Sequence, residues 1–150
     1  YAFAYFFSDG RGVEEALRLY RDNYRPSAAH PAPKATICVW ALAADTAEEA
    51  RHQLHTREYW RVGFERGIRN ALLPPDVAAA HPYDAAELAI VEALRRKAFV
   101  GTAGDVAERL SDLAARLELD ELVIVTWTYD PAPRHRSYEL LAEAFGLRRR

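Results

Sequence analysis

Three long, mainly apolar runs constrain what this chain can fold into. They are Tyr1-Ala2-Phe3-Ala4-Tyr5-Phe6-Phe7, residues 35–43 (ATICVWALA) and residues 121–128 (ELVIVTWT). A strand with one wet face alternates polar and apolar residues; a strand covered on both faces does not. Helical patterns separate the three runs, so the chain predicts an α/β fold with parallel strands joined by right-handed crossovers. Three parallel strands alone leave two open edges, which soluble proteins avoid. The chain therefore pairs with a second copy, or it is a sector of a larger sheet or barrel. A (β/α)8 barrel takes about 250 residues. These 150 residues would supply about three β/α units, its C-terminal sector. The chain has no methionine and opens directly on the first apolar run. Both features read as a piece of a longer protein.

The connections follow from spacing and punctuation. Val13, Ala16, Leu17, Tyr20 and Tyr24 recur at helical intervals and predict a helix over 12–24. The proline-rich stretch 26–34 cannot continue it. Asp45 with Glu48 reads as a capping box for a helix through Ala47, Ala50 and Leu54 to about Trp60. Gly63, Gly67 and Pro74-Pro75 mark residues 63–83 as an excursion. Asp84 with Glu87 opens a helix over 84–98, and Thr102 with Asp105 opens another, striped by Val106, Leu110, Leu113 and Leu117. A last helix is expected over 136–145, stopped by Gly146. The whole reads as a single domain, 1–150, of a size able to bury its own core.

Composition excludes several functions. The net charge of −2 leaves no basic excess to hold a phosphate backbone, so nucleic acid is not an expected partner. One cysteine allows no intrachain disulfide and no thiolate metal cluster, which suits a reducing cytoplasm. No apolar run approaches the roughly 20 residues of a membrane helix, and no signal peptide is visible.

Candidate site residues are few. His52 and His55 have a metal-ligand spacing, but no third ligand joins them and a solvated face is the better reading. His30 and His81 precede prolines in loops. Cys38 lies within a strand run, where a thiol packs. Gly101-Thr102-Ala103-Gly104 reads as a helix cap rather than an anion site. What remains is aromatic: Tyr5, Phe6 and Phe7 close the first run, and Trp127 and Tyr129 lie at the end of the third. In a barrel, the C-terminal strand ends carry the active site, and aromatics there can wall a dry pocket for a flat ligand. Spacing alone favours ordinary core.

Several stretches, taken in order, carry a family resemblance. They are Tyr1-Ala2-Phe3-Ala4 leading to Phe6-Phe7; Ala43-Ala44-Asp45-Thr46-Ala47-Glu48-Glu49-Ala50-Arg51; Ala98-Phe99-Val100-Gly101-Thr102; Asp120-Glu121-Leu122; and Thr126, Tyr129-Asp130 and Arg136-Ser137-Tyr138-Glu139-Leu140-Leu141-Ala142-Glu143. This order resembles the C-terminal portion of the luciferase-like flavin-dependent monooxygenases, the bacterial luciferase-type barrel. The resemblance implies that 1–7, 35–43 and 121–128 are barrel strands six, seven and eight. It makes 63–101 an inserted, lid-like excursion.

It also implies chemistry. Reduced FMN, supplied by a separate NAD(P)H-dependent reductase, reacts with oxygen, and a small organic substrate is oxygenated. The cofactor carries the reaction, which accounts for the lack of an acid–base constellation. On this reading Tyr5, Phe6 and Phe7 line a substrate pocket, and Thr126 and Trp127 bind the cofactor; no catalytic residue is assigned. The Thr126 hydroxyl either meets a flavin edge or satisfies the strand end. Phe6 stands where the family often has a polar residue, frequently histidine, which points to an apolar substrate. Trp127 replaces what is usually a smaller residue. The family's flavin-phosphate contacts and dimer interface lie largely ahead of Tyr1, so the chain is expected to form a homo-oligomer or to pair with an N-terminal half. The alternatives are a non-catalytic flavin or ligand carrier, a subunit-assembly module on a truncated barrel, and a deazaflavin-dependent reductase.

Overall fold

Strand β2 (Thr36–Ala44) is buried along nearly its whole length, with Ile37, Val39 and Ala41 at zero exposure. Its uninterrupted apolar run is what burial on both faces demands. The computed structural model describes residues 1–5 and 10–147. They fall into two compact units: Tyr1–Trp40 with Arg109–Val125, and Ala41–Glu108 with Thr126 onward.

In the first unit, β1 (Ala2–Phe3) and β4 (Glu121–Val125) both pair with β2, and both are parallel to it. Thr36 to Trp40 run in register with Glu121 to Val125. This is the order expected of barrel strands six, seven and eight, with the seventh in the middle. Two expectations change here. The first run does not continue as a strand through residue 7: it ends at Phe3, Tyr5 is helical, and Phe6 and Phe7 lie outside the described residues. The third run is not buried on both faces either, since Val123 is 42% exposed. Helix α1 (Val13–Asp22) buries Val13 and Leu17, as its spacing predicts. The guanidinium of Arg21 donates to the carbonyls of Leu117 and Glu118, at 2.7 and 2.8 Å. The Asp120 carboxylate accepts from the amide of Ala35 at 2.8 Å, just ahead of β2.

In the second unit, Ala41 to Ala44 of β2 run parallel to β3 (Phe99–Thr102). Sequence reading placed 99–101 inside the excursion; they form a fourth strand instead. Helix α2 (Ala47–Glu65) is capped by Thr46, whose hydroxyl accepts the Glu49 amide at 3.1 Å. The expected Asp45–Glu48 box is not formed, because Asp45 is held by Arg136 of α6 (Pro131–Ala144). Helix α2 also runs five residues beyond Trp60, through Gly63.

Short helix α3 (Pro75–Ala79) and helix α4 (Ala85–Lys97) follow. The Asp84–Glu87 capping box is complete in both directions. Thr102 closes on Asp105, its hydroxyl donating to the carboxylate at 2.7 Å. Helix α5 (Ala103–Arg116) buries Val106, Leu110 and Leu113, and Leu117, just beyond its last residue, is buried as the stripe predicts. Helix α6 begins at Pro131, five residues earlier than expected. Asp130 caps it, and its first-turn prolines lack only amides that have no helical partner. Gly146, at φ 63°, closes it in the left-handed conformation its position requires.

Candidate functional site

The second unit gathers its polar and aromatic chemistry along α2. A core-facing helical stripe repeats at i, i+3, i+4, i+7 and i+8. From Leu54 those positions are Arg57, Glu58, Arg61 and Val62. All are buried, with Arg57 3%, Glu58 1% and Arg61 2% exposed. The sequence analysis singled out only His52 and His55 on this helix; Arg57, Glu58 and Arg61 lie on its inward stripe. The signal was present in the register of these residues with Ala50 and Leu54.

Each inward charge has defined surroundings. The Glu58 carboxylate receives Nε and Nη2 of Arg95, at 2.5 and 3.0 Å. Nδ1 of His55 lies 2.8 Å from the same carboxylate. A carboxylate only accepts, so Nδ1 carries the proton in this contact. Arg61 pairs with Glu65 at 2.5 Å. The Arg57 guanidinium lies over the Trp127 ring, 5.9 Å from its centroid. Arg61 and Arg69 lie 5.6 and 5.2 Å from the Phe64 centroid. Trp60 stacks on Phe64 at 5.2 Å and meets Trp127 edge-on at 5.5 Å. Tyr83 buries its hydroxyl, and burial, with the nearby Glu58 charge, pushes its pKa up to about 12.

Thr126 and Trp127 lie just past the last residue of β4. Sequence reading carried this strand to residue 128, but it ends at Val125. Thr126 is 3% exposed, and its hydroxyl donates to the Ala41 carbonyl at 2.6 Å. Its amide donates to the Tyr138 hydroxyl at 2.9 Å. Side chains thus replace the next step of the backbone ladder. Of the two roles open to the Thr126 hydroxyl, the structure shows the strand-end one. Trp127 is half-buried against Trp60.

Tyr5 belongs to the first unit, where its carbonyl accepts the amide of Gly10. A Cβ on Gly10 would collide with the Tyr5 ring, and Gly10 also sits at φ 79°, so glycine is required twice over. A groove of about 240 Å³ in that unit is lined by Glu14, Arg18 and Arg116 among others. Glu14 pairs with Arg116, and Arg18 with Glu15 and Asp22, so its charges already satisfy one another.

His52 faces Asp76 at 3.7 Å rather than joining His55 on a ligand. No group of three or more histidine, cysteine or acidic side chains converges to hold a metal among the described residues. Burial raises the pKa of the Cys38 thiol. No helix among the described residues is long and apolar enough to cross a membrane.

The aromatic and guanidinium set on α2 and at the β4 exit suits a flat, conjugated ring. Indole and phenyl faces offer dispersion contact, and the guanidiniums stack or approach through their π systems. That chemistry fits the ring of a flavin.

Comparison with known proteins agrees with this architecture. No family model matches the chain. The chain is 32% identical over 145 residues to the uncharacterized protein YceB of Bacillus subtilis. It is 28% identical over 140 residues to a luciferase-like monooxygenase of Escherichia coli, and 27% identical over 148 residues to an N-acetyl-S-alkylcysteine monooxygenase of B. subtilis. These matches cover 93–97% of the chain but only 42–44% of the relatives. The chain thus spans less than half the length of the curated relatives it matches. The crystal structure of apo-MsnO8 superposes on the whole chain with a TM-score of 0.85 at 29% identity, the match covering 46% of that protein. The parallel β/α order is therefore that of a sector of the luciferase-like barrel fold. Over nearly all of its length in sequence, and along its whole length in fold, the chain is similar to the C-terminal part of the luciferase-like monooxygenases.

Proposed function

We propose that these residues form part of an FMN-dependent monooxygenase that uses reduced flavin and oxygen to oxygenate a small, apolar organic substrate. The observation that carries this reading is the Trp127–Trp60–Phe64 cluster at the exit of β4, in a chain that matches a luciferase-like fold end to end.

Bound FMN supplies the oxygen-activating chemistry. The chain's own residues hold and shield it. Trp127 and Trp60 would supply the apolar ring surface that holds it. The inward guanidinium of Arg57, over the Trp127 ring, would help to orient the indole. Thr126 is held by its amide and by the hydrogen its hydroxyl donates to Ala41, which leaves the hydroxyl oxygen able to accept from a cofactor. The aromatic wall excludes water, which guards the reactive cofactor against unproductive decay. For Tyr5, Phe6 and Phe7 the proposed role is the lining of a substrate pocket, as the family resemblance implies. A separate NAD(P)H-dependent reductase delivers the reduced flavin, and the active form is a homo-oligomer or a pairing with an N-terminal half.

The test is made on the intact protein. FMN is titrated against quenching of its own fluorescence, and anaerobically reduced FMN is then mixed with oxygen. Specific quenching, altered oxidation kinetics and a roughly tenfold weaker affinity in Trp127→Ala are expected, about 1.4 kcal/mol of ring contact. Absence of quenching, or quenching indifferent to Trp127, refutes the reading. Tight retention of flavin without oxygen-dependent turnover identifies a carrier instead.

A further inference from the structure

Three consecutive residues of α6 reach three separate points on the strand exits of the second unit. Arg136 donates to Asp45, just beyond β2, from Nε at 3.0 Å and Nη2 at 2.5 Å. The Ser137 hydroxyl, at zero exposure, accepts the amide of Ala43 at 2.9 Å. The Tyr138 hydroxyl accepts the amide of Thr126 at 2.9 Å. Successive helical residues project about 100° apart. Ser137 therefore points straight at β2, while Arg136 and Tyr138 reach out on either side of it.

The Tyr138 contact differs in kind from the other two. Ser137 satisfies an amide inside a strand that other contacts already hold. Arg136 pairs with an exposed carboxylate. Tyr138 acts where the β4 ladder has just stopped, on the residue whose own hydroxyl crosses to Ala41. Thr126 is thus gripped through its amide and its side chain, and the next residue is Trp127. We infer that Tyr138 is a positioning residue: by holding the Thr126 amide it orients the neighbouring Trp127, and so sets the edge-on geometry of the indole against Trp60. The consequence for a flavin ring rests on the function proposed above; the consequence for the two indoles does not.

That separation defines the experiment. Two indoles 5.5 Å apart at 72° couple excitonically, giving a far-ultraviolet circular dichroism couplet. Trp60→Phe in the intact protein identifies that couplet by removing it. Tyr138→Phe keeps the ring and deletes only the hydroxyl. It is expected to halve the couplet or more and to weaken FMN binding about fivefold, the value of one hydrogen bond. Ser137→Ala is expected to lower the melting temperature while leaving the couplet intact, which separates positioning from mere structural support. Thr126→Val, which removes the hydroxyl crossing to Ala41, serves as a second variant and is expected to change the couplet in the same direction. An unchanged couplet and unchanged FMN affinity in Tyr138→Phe overturn the inference. A couplet lost in a protein that never bound FMN upholds the positioning role and sinks the flavin reading alone.

Discussion

Arg95→Ala isolates the buried carboxylate on α2. Glu58 is 1% exposed and receives three contacts, two from Arg95 and one from His55. Removing one partner of a fully buried pair costs about 3–5 kcal/mol, because the remaining charge has neither partner nor water. Two features lower that figure here. The Arg95 side chain is itself 52% exposed, so solvent screens its charge, and His55 remains as a donor. About 2–3 kcal/mol is the resulting expectation. At about 2–4 °C per kcal/mol for a chain of this size, the melting temperature falls by roughly 4–12 °C. Thermal unfolding of the intact protein, followed by circular dichroism, reads it. The companion variant is Glu58→Leu with Arg95→Ala, which removes the stranded charge along with its partner and is expected to recover most of the loss. A drop below about 2 °C in Arg95→Ala would show that Glu58 is stably hydrated or held by His55 alone. A double variant as damaged as the sum of its parts would show that packing, not charge, is at stake.

Other consequences are simpler. Thr46→Ala removes the hydroxyl that caps α2 and is expected to cost about 1 kcal/mol in thermal unfolding, whereas Asp45→Asn leaves that cap in place. Asp45 has its carboxyl held below the usual range, first by its hydrogen bond with Arg136. A depressed carboxylate stabilises the fold above its unfolded pKa and loses that contribution as pH falls through the folded one. The acid limb of stability below about pH 4 is therefore expected to flatten in Asp45→Asn, as followed by acid titration of the folded fraction. Leu110→Ala opens a cavity at a position of zero exposure and is expected to cost about 2–5 kcal/mol by denaturant titration.

Much of the fold was legible because its signals are local. The apolar run of β2, the stripe of α5 and the Asp84–Glu87 box each lie within a few residues, and each was found in place. The misses share a different cause. Asp45 has the spacing of a cap but is drawn off by Arg136, 91 residues away, so Thr46 takes the role. The last apolar run looks like a strand through residue 128, yet Tyr138 and Ala41 take over its hydrogen bonds at Thr126. Strand β3 spans four residues and offers too short a pattern to separate from its loop. At the site, Trp127 was visible as an aromatic at a strand end. Its partners Trp60, Phe64 and Arg57 were not, because only the course of α2 brings them to it.

The charges on the inward face of α2 argue that this stripe is shaped by something other than stability. Buried ion pairs gain little over apolar residues of the same volume and often lose to them. A helix selected only to hold the fold would carry leucine or valine where Arg57, Glu58 and Arg61 stand. Within the same unit, Arg57 lies over Trp127 and Arg61 beside Phe64, while Glu58 fixes Arg95 of α4. The polar positions thus coincide with the ring cluster and with the excursion that follows α2. A ring-binding wall needs its aromatics held at set angles, and a guanidinium over an indole face does this with a directionality that aliphatic packing lacks. If that is why the charges persist, replacing Arg57 with leucine should preserve or raise the melting temperature while weakening FMN binding. A variant that loses both together would instead make Arg57 an ordinary structural residue.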